Sequence, residues 1–178
     1  MPDAKGDLYL YEALELRGEY DARIKDIRDV LPEQSSKDQW PHARDVTAIR
    51  RPAPGLDAPK LREAMRGVER RRIMLNNAIQ KTNFEHEIEH QGERMTLARA
   101  LEERRALNLR LAELHATLVW SSTERVIFKE DRDIVEPSPI SFTECFRELD
   151  ETRKAFREMN RRLREAAYRI TVEFRDEP

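Results

Sequence analysis

Hydrophobic residues recur at alternating three- and four-residue steps in four stretches of the chain, a spacing that predicts four amphipathic helices. The first predicted helix covers residues 8–31. Its apolar stripe consists of Leu10, Ala13, Tyr20, Ile24, Ile27 and Leu31. The second covers residues 60–82, with Asp57 or Pro59 marking its start. Its stripe consists of Leu61, Met65, Val68, Leu75 and Ile79.

The second half of the chain shows the same spacing twice more. Thr96 is a suitable N-cap for a third helix, which is predicted to end near Ser121. Its stripe consists of Leu97, Leu101, Leu107, Leu111, Leu114 and Leu118. A fourth helix opens at a capping box formed by Ser141 and Glu144. Its stripe consists of Phe142, Cys145, Leu149, Phe156, Met159, Leu163, Ala166 and Ile170.

Three segments between these helices lack the helical period. Residues 32–59 contain five prolines and are predicted to form a linker or an insertion. Residues 83–95 alternate in polarity around Gln91-Gly92, which predicts a short β-hairpin between helices two and three. The connector before helix four contains two prolines and is expected to be extended.

The composition suits long helices with little core per residue. Charged residues make up 38% of the 178 residues and aromatic residues only 7%. We therefore predict an all-α protein in which residues 1–178 form one domain, an elongated, coiled-coil-like bundle of four long antiparallel helices with one β-hairpin. Narrow stripes on long helices favour association, so we expect a homo-oligomer or a complex with another protein.

The charge balance excludes several classes of partner. With 33 basic and 35 acidic residues the formal charge is -2, so no global field favours nucleic acid or anionic lipid, and neither is expected as a partner. The first residues lack the basic start and apolar run of a signal peptide, and no stretch approaches the roughly 18 apolar residues of a membrane span. A cytoplasmic location is expected.

An internal repeat relates the first and third predicted helices. A shift of 87 residues superimposes their stripes and places Arg17 on Arg104, each within the apolar seam, and Arg72 lies at a comparable position in helix two. A buried guanidinium needs a carboxylate partner, so these three arginines are candidates for a structural polar network with Glu148 or Asp150. Alternatively, each arginine packs its aliphatic stem and extends its charge into solvent.

Four short stretches also carry a resemblance to a known family. They are Glu12-Ala13-Leu14-x-x-Arg17, Ile79-Gln80-Lys81-Thr82-Asn83, Thr96-Leu97-x-x-Ala100-Leu101-x-x-Arg104 and Arg157-Glu158-Met159. In this order they resemble the small bacterial helical proteins of unknown function that are labelled septicolysin. The resemblance implies an all-helical fold. Its label implies a membrane-active, pore-forming role, although the sequence shows neither an export signal nor a membrane-inserting segment.

The segment His86-Glu87-Ile88-Glu89-His90 is the sharpest candidate for chemistry, because it satisfies the zinc-protease pattern H-E-x-x-H. On a helix the two histidines would lie one turn apart and could hold zinc. The neighbouring Gly92 turn and the alternation of polar and apolar residues instead favour a solvated hairpin. No metal site is therefore assigned.

Other reactive residue types are isolated along the chain. His42 and His115 have no spaced partner, and Cys145 lies on the helix-four stripe, where a buried apolar role is expected. We therefore expect no catalytic residues and no cofactor. The leading hypothesis is a non-catalytic helical scaffold or interaction protein. The alternatives are a metal-dependent hydrolase acting through His86 and His90, and a membrane-active protein.

Overall fold

A computed structural model describes residues 7–31, 53–128, 132–136 and 140–176, and these residues are mostly helical. The four predicted helices are present within the described ranges: α1 Leu10–Val30, α2 Ala58–Glu85, α3 Leu97–Ser121 and α4 Phe142–Ala167. The short strands are β1 Asp7–Tyr9, β2 Glu87–His90, β3 Glu93–Thr96, β4 Arg125–Phe128, β5 Asp133–Glu136 and β6 Thr171–Glu173. Most of the predicted 32–59 linker lies outside the described residues.

The helix starts follow from side-chain caps that the sequence encodes. The backbone N–H of Lys60 donates to Asp57 Oδ1 at 3.0 Å, which makes Asp57 the start signal of α2. Thr96 accepts from the Arg99 N–H at 3.2 Å at the start of α3. In α4, Ser141 accepts from the backbone N–H of Glu144 at 3.4 Å. The predicted caps therefore orient the first turns of three helices.

The strands form three separate antiparallel pairs in the described residues. The predicted hairpin is the β2–β3 pair, whose turn residues Gln91 and Gly92 both have positive φ, at 52° and 81°. A two-residue hairpin turn requires this conformation, which glycine adopts without steric cost. The β1–β6 and β4–β5 pairs were not predicted, so the all-α assignment is corrected to a mostly helical fold with three strand pairs. Strands of three or four residues are too short to show a clear alternation.

One compact unit consists of residues up to Ile79 together with the segment from Thr171 onward. In this unit β1 at the start of the chain pairs with β6 near its end, with Leu8 opposite Val172. Its buried apolar residues are Leu10, Ala13, Tyr20, Ile24, Val68, Leu75, Ile79, Val172 and Phe174. These include most of the residues predicted for the stripes of helices one and two.

The second compact unit covers residues 80–170 and is built on the packing of α3 against α4. One apolar cluster combines Met95, Ala100 and Met159 with Ile88, Leu107 and Leu163. The other combines Leu114, Cys145 and Leu149 with Leu111 and Leu118. The helix-three and helix-four stripes therefore meet as predicted. A single bundle of all four helices, and a single domain of residues 1–178, remain predictions.

Candidate functional site

The three seam arginines have separate environments. Arg17 donates to Asn76 Oδ1 at 3.5 Å, and Arg72 pairs with the carboxylate of Asp21. Arg104 is half-buried and makes no hydrogen bond or ion pair with the part of the chain that the structure describes. These contacts do not join the three side chains, and a shared network stays a prediction.

The carboxylates suggested as partners of that network are engaged elsewhere. Glu148 Oε1 accepts from Arg110 Nη2 at 2.6 Å, which links α3 to α4. Asp150 lies 3.4 Å from Arg153 on its own helix. Both pairs are about half exposed and screened by solvent, so each contributes little to stability.

The His86–His90 segment has the geometry of a hairpin. His86 is exposed just before β2, and His90 ends β2 with 6% of its surface exposed. Four residues of extended chain span about 13 Å, so the two imidazoles lack the one-turn spacing of a helical zinc motif. The hairpin interpretation is confirmed, and the hairpin is solvated only in part, because Ile88 packs on the Met95–Met159 cluster and His90 is buried.

The remaining candidates have ordinary structural roles or lie outside the structure. Cys145 is buried between α3 and α4, and its Sγ–H donates to the Leu114 carbonyl at 3.4 Å, as expected for a small core residue. His115 is exposed on α3. His42 lies outside the described residues. Among the described side chains, no three His, Cys, Asp or Glu residues are grouped in a way that could hold a metal ion.

Exposed apolar residues of the second unit gather at one end of the α3–α4 pair, and we call this group the apolar end surface. Leu118 and Cys145 pack together near this end, where α3 finishes, the β4–β5 hairpin follows, and α4 begins. Trp120 is 83% exposed and Phe128 is 79% exposed. The exposed apolar members of the surface are Val119, Trp120, Val126, Phe128, Val135, Ile140, Phe142 and Phe146.

The β4–β5 hairpin is apolar on both faces. Val126 lies opposite Val135, and Ile127 lies opposite Ile134, so the two pairs occupy alternate faces of the ribbon. The valines are exposed and the isoleucines are half-buried. A two-stranded hairpin buries too little surface to be stable alone in water. The burial of further apolar surface against this hairpin would therefore stabilise it.

Two aromatic rings extend this surface onto α4. The rings of Phe142 and Phe146 stack with centroids 6.1 Å apart, one helical turn from each other, and both remain almost half exposed. The sequence assigned Phe142 to the buried stripe, which is wrong. Phe142 belongs to the first turn of α4 and lies outside the clusters that α4 forms with α3.

The charges beside the hairpin are of both signs. Arg125 and Glu136 lie opposite each other in the ladder, with 3.5 Å between Arg125 Nη1 and Glu136 Oε2. Arg132 is exposed and has no ion-pair partner among the residues that the structure describes. The polar rim therefore carries both acids and bases and is suited to a partner surface that also carries both.

Sequence reasoning missed this surface, although a signal was present. Four of the twelve aromatic residues fall between positions 120 and 146, namely Trp120, Phe128, Phe142 and Phe146. Apolar residues at 126–128 and 134–135 have no helical period, so they could not belong to a helix stripe. Aromatic residues clustered at and beside a connector between charged helices indicate a surface that is not part of the core.

Together the fold and this surface define a mostly helical protein with an exposed aromatic surface. The chain belongs to a family of unknown function (DUF6847), which matches residues 52–172. Its structure is similar to the crystal structure of a functionally unknown conserved protein from Corynebacterium diphtheriae, with a TM-score of 0.70 and 19% identity over 94% of this chain and 99% of that one. That likeness shows the fold. No curated protein matches the chain. None of the described helices combines the length and apolar character needed to cross a membrane.

Proposed function

We propose that this protein is a non-catalytic helical interaction protein of the cytoplasm that self-associates through its apolar end surface. The observation that carries the proposal is the exposure of Trp120 and Phe128, at 83% and 79%, beside the stacked Phe142 and Phe146 rings. Aromatic side chains are enriched in the centres of protein interfaces and contribute most of their binding energy. In this proposal the protein acts by binding, and the helices position the surface.

The extent of the surface supports this role. An aromatic side chain can bury about 150–250 Å², so the eight exposed members present on the order of 800 Å² of apolar area. The largest apolar patch on an ordinary monomer is about 300–600 Å² and is often functional. Two copies of this surface would bury roughly 1,600 Å², which is the area of a standard stable interface.

A second copy of the chain is the occupant that the charges favour. Arg125 and Glu136 provide both signs within one ladder position, and Arg132 adds a base without a partner in the described residues. A two-fold symmetric interface requires a surface that complements itself, so acids and bases must both be present. A partner with a strongly basic or strongly acidic surface would meet like charges at this rim.

Sedimentation velocity on matched variants tests the proposal. Phe128→Ser removes an exposed ring from the apolar end surface, and Phe84→Ser removes a ring that is 67% exposed elsewhere in the same unit. We expect Phe128→Ser to weaken self-association at least tenfold and Phe84→Ser to leave it unchanged. Equal weakening in both variants would show that exposed aromatic residues in general, and not this surface, govern association, and no weakening in either would contradict the role of this surface.

A lipid surface is the second candidate occupant, because Trp and Phe side chains also enter membrane interfaces. This candidate accords with the pore-forming role implied by the septicolysin-labelled resemblance. Phosphatidylcholine vesicles loaded with a self-quenching dye discriminate the two. Dye release by the wild type that is lost in Phe128→Ser would favour the membrane, whereas intact vesicles together with a protein dimer would favour self-association.

A further inference from the structure

Among the residues that the structure describes, the β4–β5 sheet contains two strands, and neither outer edge is paired with a further strand. Proteins protect exposed strand edges with lysine, proline or bulges. The central positions of these strands are instead Val126, Ile127, Ile134 and Val135. An edge strand with an apolar centre is suited to pairing with another strand, which would satisfy its backbone N–H and C=O groups.

Two-fold symmetry restricts how a strand can pair with its own copy. In an antiparallel pair of identical strands, the two-fold axis passes through one central residue. Two residues that face each other across the pair lie at equal distances on either side of that residue, so their numbers differ by an even number. Their side chains therefore lie on the same face of the sheet. In β4 the neighbouring charges Glu124 and Arg125 are one position apart. They therefore cannot face each other in such a pair, and the β4 edge offers no charge match.

The β5 edge does offer a charge match. When Ile134 is the centre, Arg132 lies opposite Glu136 of the partner subunit, and the same contact recurs on the other side of the axis. The register also places Val135 opposite Asp133 of the partner subunit. Within each hairpin Glu136 already lies opposite Arg125. The pairing would therefore set each Glu136 between two arginines along a cross-strand ladder, an arrangement that stabilises neighbouring strands.

We infer that two copies of the chain join through their β5 edges, with Ile134 on the two-fold axis, into one four-stranded antiparallel sheet. The inference rests on the proposed self-association and specifies its geometry. The joined sheet has four strands, which are enough for a stable sheet in water, whereas a single two-stranded hairpin is not stable alone. It also brings Val126, Val135 and Phe128 of both copies onto one face of the joined sheet.

Charge reversal on each side of the contact tests this register. Arg132→Glu alone places two acids opposite each other, and Glu136→Arg alone places two bases opposite each other. We expect each variant to weaken the dimer about tenfold, since two contacts per dimer change from attractive to repulsive. Arg157→Glu changes the same charge at an exposed position of α4 and should leave the dimer as it is in the wild type.

An equimolar mixture of the two variants gives the decisive result. In a mixed dimer both contacts between the subunits again join an acid with a base, so the Arg132→Glu and Glu136→Arg chains should form a heterodimer that is clearly more stable than either variant homodimer. A misfolded variant would not be rescued by mixing. Sedimentation equilibrium with one chain enlarged by a fusion partner distinguishes the heterodimer by its mass.

The remaining outcomes separate this inference from the proposed function. A wild-type dimer that is unaffected by both charge reversals would overturn the β5 pairing and leave self-association standing. Two weakened variants that fail to recover on mixing would overturn the register. A wild-type protein that is monomeric throughout would remove the proposed self-association and, with it, this inference.

Discussion

Val126 and Val135 face each other across the β4–β5 ladder, yet they remain 42% and 50% exposed. A cross-strand pair of this kind normally stabilises a sheet by lying against a core. Here the pair lies on a two-stranded ribbon beyond the packed ends of α3 and α4. The relationship connects the local structure of the hairpin with the proposed role of the apolar end surface.

Trp120 provides a direct optical signal for coverage of that surface. In a Trp40→Phe background it is the sole indole, and its 83% exposure predicts the long-wavelength emission of a hydrated tryptophan in dilute solution. Raising the protein concentration should shift the emission to shorter wavelength as the ring becomes buried at the interface. Emission that does not change with concentration would place Trp120 outside the contact.

The buried methionine Met159 should be important for stability, whereas the exposed Met74 should not. Met159 is 0% exposed and packs with Met95 and Ala100, so Met159→Ala should lower the free energy of unfolding by about 2–5 kcal/mol. Met74 is 63% exposed, and Met74→Ala should change the free energy of unfolding by less than about 0.5 kcal/mol. Urea denaturation followed by circular dichroism measures both. Similar losses would contradict the assigned core.

Tyr20 should make a stability contribution that depends on alkaline pH. Its hydroxyl donates to Asp176, and burial together with this carboxylate raises the pKa of Tyr20 from 10.0 to about 12. Because the folded pKa is above the unfolded one, this contribution is fully present below pH 10 and is lost as the pH rises to about 12.

The matched variant Tyr20→Phe isolates this effect. Loss of the hydrogen bond to a carboxylate should lower the free energy of unfolding by about 1–2 kcal/mol at neutral pH. The difference between wild type and variant should diminish above pH 10, and an absorbance titration at alkaline pH should lose the tyrosine that titrates at about pH 12. A constant difference across this range would contradict the role given to the Tyr20–Asp176 contact.

Zinc should not stabilise the protein through its histidine segment. His86 and His90 are separated by extended chain rather than by one helical turn, so they cannot chelate one ion in the manner of a helical H-E-x-x-H motif. Stoichiometric zinc should leave the Tm of untagged protein unchanged. A rise in Tm that disappears in His86→Ala would revive the metal-dependent alternative.

The helices could be predicted because their burial follows one period. Leu75, Ile79, Leu114 and Leu149 are buried at stripe positions, and Thr96 caps its helix as expected. The β1–β6 pair joins opposite ends of the chain, and three-residue strands carry no local signal for such a partner. For the same reason, the sequence did not predict that His90, at the end of a four-residue strand, would be buried.

The apolar end surface could not be predicted from a helical stripe because it is made mostly outside one. Trp120 lies in the last turn of α3 and Phe128 ends the first strand of a short hairpin, and both are exposed. The sequence shows that aromatic residues concentrate there, but Phe142 illustrates the difficulty. It continues the apolar period of α4 and is nevertheless exposed in the first turn.

The molecular mass in solution tests the central claim most directly. Sedimentation equilibrium of the untagged wild-type protein at micromolar concentration should give twice the chain mass of 21.1 kDa, with dissociation to single chains on dilution. A mass of 21.1 kDa at every concentration would contradict self-association through the apolar end surface.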